Sequence, residues 1–275
     1  MHLQIQNQNS LIGSFIDATS FHGAFAEIIR LPESLQVYLC GFLDHFESGL
    51  ITLLEGDGQS IKTLHSELHQ VMIDVVKNKW QVKLIDIANC FDPHLISTLC
   101  FQDDIDPRHV LQQISLARPF QIYQSASIIK QLEVQLSKNK PTQKQLIIIT
   151  CISSQFFDSS IANEDPNFPL PQLDLLRHSL GILQGLAIQG HTIVMTELTE
   201  TRISRQLTEG KNDCRVQDSS LAYAGKIHIR ISSRQTSRRV ELVNHPFLSS
   251  QMTNVQIPQK GIVVTDKQKS LEEWF

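Results

Sequence analysis

The sequence predicts an α/β protein: a mostly parallel central sheet flanked by helices, with an antiparallel hairpin toward the C-terminal end. Three observations carry that expectation. Short apolar runs such as "LITLL" and "LIIIT" have the length of a strand and no polar face, so each strand must be buried on both sides. Between such runs lie stretches whose apolar residues recur every three or four positions, the spacing of one helix face. Late in the chain, "GKIHIRISS" and "RRVELVNHP" alternate in steps of two, as half-buried antiparallel strands do.

Taken in order, residues 1–35 carry Gln and Asn early and no clear period, so they form a lead segment with one helix near 21–30, and residues 36–275 form the core domain. "GLITLLEGDG" is a buried strand ending in turn residues. "KTLHSELHQVMIDVVKNKW" follows as a helix whose apolar stripe is Leu64, Leu68, Val71, Met72 and Val75. "QVKLIDIANCFD" holds a strand centred on Leu84 and Ile85, and Asp92 before Pro93 is a start signal for the helix of "DPHLISTLC". "VLQQISLARPF" carries a helix end and a short strand, "SASIIKQLEVQLSKN" a helix, and "KQLIIITCISSQFF" the most apolar strand. "LPQLDLLRHSLGILQGLAIQG" is a long helix closed by Gly190, and "HTIVMTEL" is again a strand. Residues 199–220 are polar, charged and aperiodic, a length of loop that in a compact domain is usually either functional or disordered.

Bulk composition narrows the class. With 275 residues and 41% hydrophobic content the chain can bury a substantial core. A net charge of −4 gives no global positive field, so contact with nucleic acid must come from a local patch. The five cysteines form no metal-ligand or C-x-x-C spacing and read as reduced thiols of a cytoplasmic protein. No apolar run is long enough to cross a bilayer, and no membrane partner is expected. His65 and His69 stand four apart on one helix face but lack a third ligand, so they are expected as surface histidines, and no metal site is expected.

One stretch carries a chemical signal. "GDGQSIKT", residues 56–63, has the first glycine, the lysine and the hydroxyl of the phosphate-binding loop G-x-x-x-x-G-K-[ST], with Ile61 in place of the second glycine. Such a loop works through backbone N–H groups and a helix N-terminus that surround phosphate, and a β-branched side chain narrows that cradle. Gly56, Asp57, Gly58, Gln59, Ser60, Lys62 and Thr63 are the candidate nucleotide-binding residues, with ATP as the candidate cofactor. Two readings of the turn stay open: a nucleotide cradle, and a packing turn with Lys62 in solvent.

The order of parts over roughly residues 35–265 resembles the RecA/RadA recombinase superfamily of P-loop ATPases. The resemblance rests on the strand running into "GDGQSIKT", on "LIDIANCFDPHLI", "VLQQISLARPFQIYQ" and "LIIITCISSQFF" (similar to the Walker B strand), on "HTIVMTEL" with its polar loop, and on "LAYAGKIHIRISS" with "RRVELVNHP". It implies a RecA-like core without the separate N-terminal DNA-binding domain of the family. It also implies that catalysis has been lost. The Walker B strand lacks its terminal aspartate, since Thr150 and Cys151 follow the apolar run, and the catalytic glutamate aligns with Ala88, so Mg²⁺ and the attacking water lose their ligands.

Further roles follow from the same resemblance. Arg118, before Pro119, stands where the family has an arginine near the nucleotide base, and a strand-end arginine is the other reading. Arg202, Arg205, Lys211 and Arg215 occupy the place of the family's DNA-contacting loop, although Glu200, Glu209, Asp213 and Asp218 cancel their charge. Arg230, Arg234, Arg238 and Arg239 on the hairpin carry a clear surplus, either for DNA or to guard a sheet edge. Phe21 and Ala24 in "FHGA" resemble the F-x-x-A element that docks into a neighbouring subunit, against the plainer reading of Phe21 as a core residue. The expected function is a non-hydrolysing accessory role in DNA recombination and repair, through a related RecA-type ATPase or self-association and through DNA. Two alternatives remain: a DNA-dependent ATPase that binds and weakly hydrolyses ATP, and a regulatory RecA-fold protein not acting on DNA.

Overall fold

The computed structural model describes residues 28–138, 145–156, 170–199, 221, 223–234 and 237–256. In chain order its elements are β1 (Ile28–Arg30), α1 (Glu33–Tyr38), β2 (His45–Glu47), β3 (Ile51–Gly56), α2 (Gly58–Lys77), β4 (Gln81–Asp86), α3 (Pro93–Gln102), α4 (Pro107–Gln112) and β5 (Ile114–Ala117). There follow α5 (Ile122–Lys138), β6 (Gln145–Thr150), α6 (Ser153–Phe156), α7 (Leu170–Ile188), β7 (Thr192–Leu198), β8 (Ile227–Ser233), β9 (Ser237–Asn244) and β10 (Gln251–Gln256).

Eight strands form one sheet in the order β10-β9-β8-β3-β7-β6-β4-β5. From β8 to β5 every pairing is parallel, and β8-β9-β10 is antiparallel. The apolar runs sit where two-sided burial demands them: on β6, Leu146 and Ile148 face one core layer while Ile147 and Ile149 face the other. The first layer holds α1 to α4, through Leu35, Leu64, Ile96 and Val110, and the second holds α5 and α7, through Ile129, Leu132, Leu176 and Leu183. The α/β architecture and the closing antiparallel strands therefore agree with the sequence.

Some elements differ from expectation. Ile28–Arg30, the end of the stretch read as a helix, is a strand paired with β2, and Ile29 and Leu31 join the first core layer. β10 adds a third antiparallel strand. Its residues are almost all exposed, so backbone pairing to β9 holds it in place and its side chains carry no period to read. Helix α2 begins earlier than its apolar stripe, at Gly58, leaving Asp57 as the one residue between strand and helix. The four cysteines among the described residues are free thiols. Among the same residues no helix is long and apolar enough to cross a membrane. Phe21, Ala24, Arg202, Arg205, Lys211 and Arg215 lie outside the described residues.

Candidate functional site at the carboxyl edge of the sheet

In an open α/β sheet, ligands enter at the carboxyl ends of the parallel strands. Here that edge collects Asp57 after β3, Asp86 on β4, Arg118 after β5, Thr150 and Cys151 at the end of β6, Glu197 on β7 and Ser233 on β8.

The turn of residues 56–63 is closed by its own carboxylate. Asp57 is the N-cap of α2, and one of its oxygens accepts from the Ser60 amide at 2.9 Å. The other accepts from the Ser233 amide at 2.5 Å, a bond that spans 176 residues of chain. The Ser60 and Ser233 hydroxyls meet at 2.8 Å, and Tyr38 donates to the Ser60 carbonyl at 3.2 Å. An added Cβ on Gly56 would lie 3.1 Å from both the Ile61 nitrogen and the Ser60 Cβ, so the strand enters the helix with no slack. Ile61 is buried in the first core layer, while Gly58, Gln59 and Lys62 are exposed and the Thr63 hydroxyl donates to the Gln59 carbonyl at 3.3 Å. A helix N-terminus attracts anions because its first amides lack partners. Here an internal anion already takes one of those amides.

Asp86, 1% exposed, organises the next loop. It accepts from the amides of Cys90 at 2.9 Å and Phe91 at 3.1 Å, from the Thr150 hydroxyl at 3.2 Å and from Arg118 Nε at 3.0 Å. Burial opposes its charge, but those two amides, the Cys90 thiol and Arg118 outweigh burial and hold the carboxyl below its ordinary range. Burial and the neighbouring Asp86 push the Cys90 thiol up to about 12, so it stays protonated. Arg118 also donates to the Phe91 carbonyl at 2.7 Å, which ties the end of β5 to the loop after β4. Asp92 caps α3 by accepting from the amides of His94 and Leu95, as its place before Pro93 predicts.

Two acids in the middle of the edge carry no signal that motif matching detects. Glu55 and Glu197 are register partners on β3 and β7, and both are buried. Glu55 meets His228 Nε2 at 2.8 Å and Arg230 Nε at 3.0 Å. Burial raises its pKa, but His228 and Arg230 overcome that and leave the carboxyl below its ordinary value. Among the described residues Glu197 has no cationic partner and accepts from the amides of Ser153 and Leu198, and burial pushes its pKa up to about 7. A single acid inside an otherwise apolar strand run, as in "TLLEG" and "VMTEL", is the sequence signal that marks such positions.

His65 and His69 are buried, which corrects their expected surface position. His65 Nε2 meets the Thr196 hydroxyl at 2.8 Å across the helix–sheet interface, and burial takes its pKa down to about 4. His69 Nδ1 donates to the His65 carbonyl at 2.7 Å, its Nε2 accepts from the Asp92 amide at 2.9 Å, and its ring stacks on Phe91 at 5.6 Å. The four-residue spacing that suggested a solvent-facing pair instead flanks the apolar stripe of α2 and points both rings at the edge. Among the described residues no group of three metal-ligating side chains forms.

The hairpin arginines divide into two pairs. Arg230 is bound to buried Glu55, and Arg238 lies 4.2 Å over the Tyr38 ring and donates to the Val37 carbonyl at 3.5 Å, so both are engaged in packing. Among the described residues Arg239 is half exposed with one loose ion pair, 3.6 Å to Glu241, and Arg234 is exposed.

No family model matches this chain, and no curated protein matches it significantly in sequence.

Proposed function

We propose that this chain is a RecA/RadA-type core that does not turn over nucleotide and acts through protein partners, and through DNA, in recombination and repair. The observation that carries the reading is Asp57, whose carboxylate bridges the Ser60 and Ser233 amides in the one turn that resembles a phosphate loop. A phosphate approaching those amides meets a negative charge and finds both donors taken. The ordered segments of the resemblance support the family part: they are β3–α2, β4–α3, α4–β5, β6, β7 and β8–β9 of one sheet. At the edge Asp86 is saturated by donors and Glu55 is ion-paired, so neither offers oxygens to a metal without losing its present partners.

The test measures phosphate release from Mg²⁺-ATP, with and without single-stranded DNA, together with direct binding to a purified RecA-type recombinase. No turnover and a saturable complex are expected. DNA-stimulated phosphate release that disappears in Lys62→Ala would replace the proposal by the ATPase alternative. Absence of both complex and DNA affinity would leave the regulatory alternative.

A further inference from the structure

Beside the strand ends, on the face of β8, β9 and β10 that carries Arg230, the structure contains a cavity of about 340 Å³ lined by Ser232, Arg234, Ser237, Arg239 and Asn254. Cross-strand register builds it. Ser232 pairs with Arg239 and Arg239 pairs with Asn254, which places a hydroxyl, a guanidinium and an amide in one row. Arg234 and Ser237 form the next row, where their backbones exchange hydrogen bonds at 2.7 and 3.3 Å. Among the described residues every lining side chain carries an N–H or O–H donor, and none is acidic or aromatic.

The charges on this face run in a ladder. Arg230 is neutralised by Glu55 at 3.0 Å, and Arg239 touches Glu241 only at 3.6 Å, with side chains 51% and 31% exposed. A pair that loose and that exposed contributes little, so the Arg239 guanidinium is available to a better acceptor. Arg234 has no ionic partner among the described residues. Two guanidinium forks, two hydroxyls and an amide converging on one cavity match the three-acceptor geometry of a phosphate.

We propose that this cavity binds a phosphate group. Among the described residues the lining offers no aromatic side chain on which to stack a base, so the cavity reads the anion alone. The source of that phosphate is the backbone of a nucleic-acid strand, a statement that rests on the DNA part of the proposed function; the anion site itself does not.

Anisotropy of a labelled oligothymidylate, titrated over a series of salt concentrations, tests the polymer. Inorganic phosphate, read by the melting temperature, tests the free anion. The wild-type chain is expected to bind the oligonucleotide with a marked salt dependence. Arg234→Ala with Arg239→Ala should flatten the slope of log affinity against log salt by about 1.4 and weaken binding roughly 25-fold at about 0.1 M salt, at about 0.7 counterion per contact on a single strand. Arg239→Lys keeps the charge but loses the fork and should weaken binding less. Arg177→Ala, at an exposed position of α7 and paired to Asp174, is the control and should change nothing. Phosphate that stabilises the wild type but not the double variant, with no oligonucleotide binding, would keep the site and assign it a free phosphate. If neither anion responds to the two arginines, the site is overturned, while the partner measurement on the recombinase reading stands apart.

Discussion

Replacing Asp57 by alanine separates the two readings of the glycine-containing turn, because it removes a cap and uncovers an anion site in one step. Asp57 accepts two backbone hydrogen bonds, from Ser60 within its own helix turn and from Ser233 across the sheet. Loss of an N-cap costs about 1 kcal/mol. Loss of a hydrogen bond to a charged acceptor costs at least about 1.5 kcal/mol. The variant should therefore be less stable by about 2.5 kcal/mol, which for a chain of this size lowers the melting temperature by about 5–10 °C. Asp57→Asn retains a capping oxygen and should lose less than half of that. Calorimetry or thermal circular dichroism measures both. The second readout is phosphate: with the carboxylate gone, the Ser60 amide at the start of α2 and the Ser233 amide at the end of β8 are free, so inorganic phosphate should raise the melting temperature of Asp57→Ala more than that of the wild type. A variant that melts within 2 °C of the wild type, as against the ~5–10 °C expected, and gains nothing extra from phosphate would refute the claim that this carboxylate fills the phosphate position.

Other outcomes follow from the same geometry. Ile61→Gly, which empties a buried position near the start of α2, should cost about 4 kcal/mol without creating Mg²⁺-dependent binding of a fluorescent ATP analogue, since Asp57 remains; saturable binding would contradict this. Glu197, with a folded pKa near 7 against an ordinary 4.5, holds a proton that the unfolded chain releases between those values. Its contribution to stability is thus present below pH 4.5 and lost as pH rises through 7, by up to about 3 kcal/mol. Glu197→Gln lacks that loss, so its stability relative to wild type in urea should rise between pH 5 and pH 8, and a pH-independent difference would count against the assignment. His65 works in the opposite sense: its pKa is lowered to about 4, so stability falls as pH drops from its ordinary 6.5, and comparison of variant with wild type cancels that common part. Gly225→Ala would bring its Cβ within 2.8 Å of the Leu53 Cβ and should cost about 1–3 kcal/mol in equilibrium unfolding, with an unchanged melt as the contrary result.

Much of the architecture is legible in the linear chain because its causes are local. The run of Ile147 to Ile149 needs two apolar layers whatever lies beyond it, and the Leu64, Leu68, Val71 stripe needs a surface on one side. The cap of α3 is written in the adjacent pair Asp92 and Pro93. β1 and β10 were hidden for the opposite reason: a three-residue strand and an exposed strand hold their places through backbone pairing, to which side-chain periodicity is blind.

The candidate site divides along the same line. Sequence alone determined that a glycine-containing turn joins a buried strand to a helix, that a lysine and a threonine follow it, and that four arginines cluster near the closing hairpin. Only the tertiary structure decided what those groups touch. Asp57 reaches Ser233, Glu55 reaches His228 and Arg230, His65 reaches Thr196, and Arg238 reaches Tyr38, each across more than a hundred residues of chain. Propensity and periodicity act over a few residues, whereas a charge is neutralised or left free by whichever strand the sheet order sets beside it. That order assigns Arg230 and Arg238 to packing and leaves Arg234 and Arg239 facing solvent.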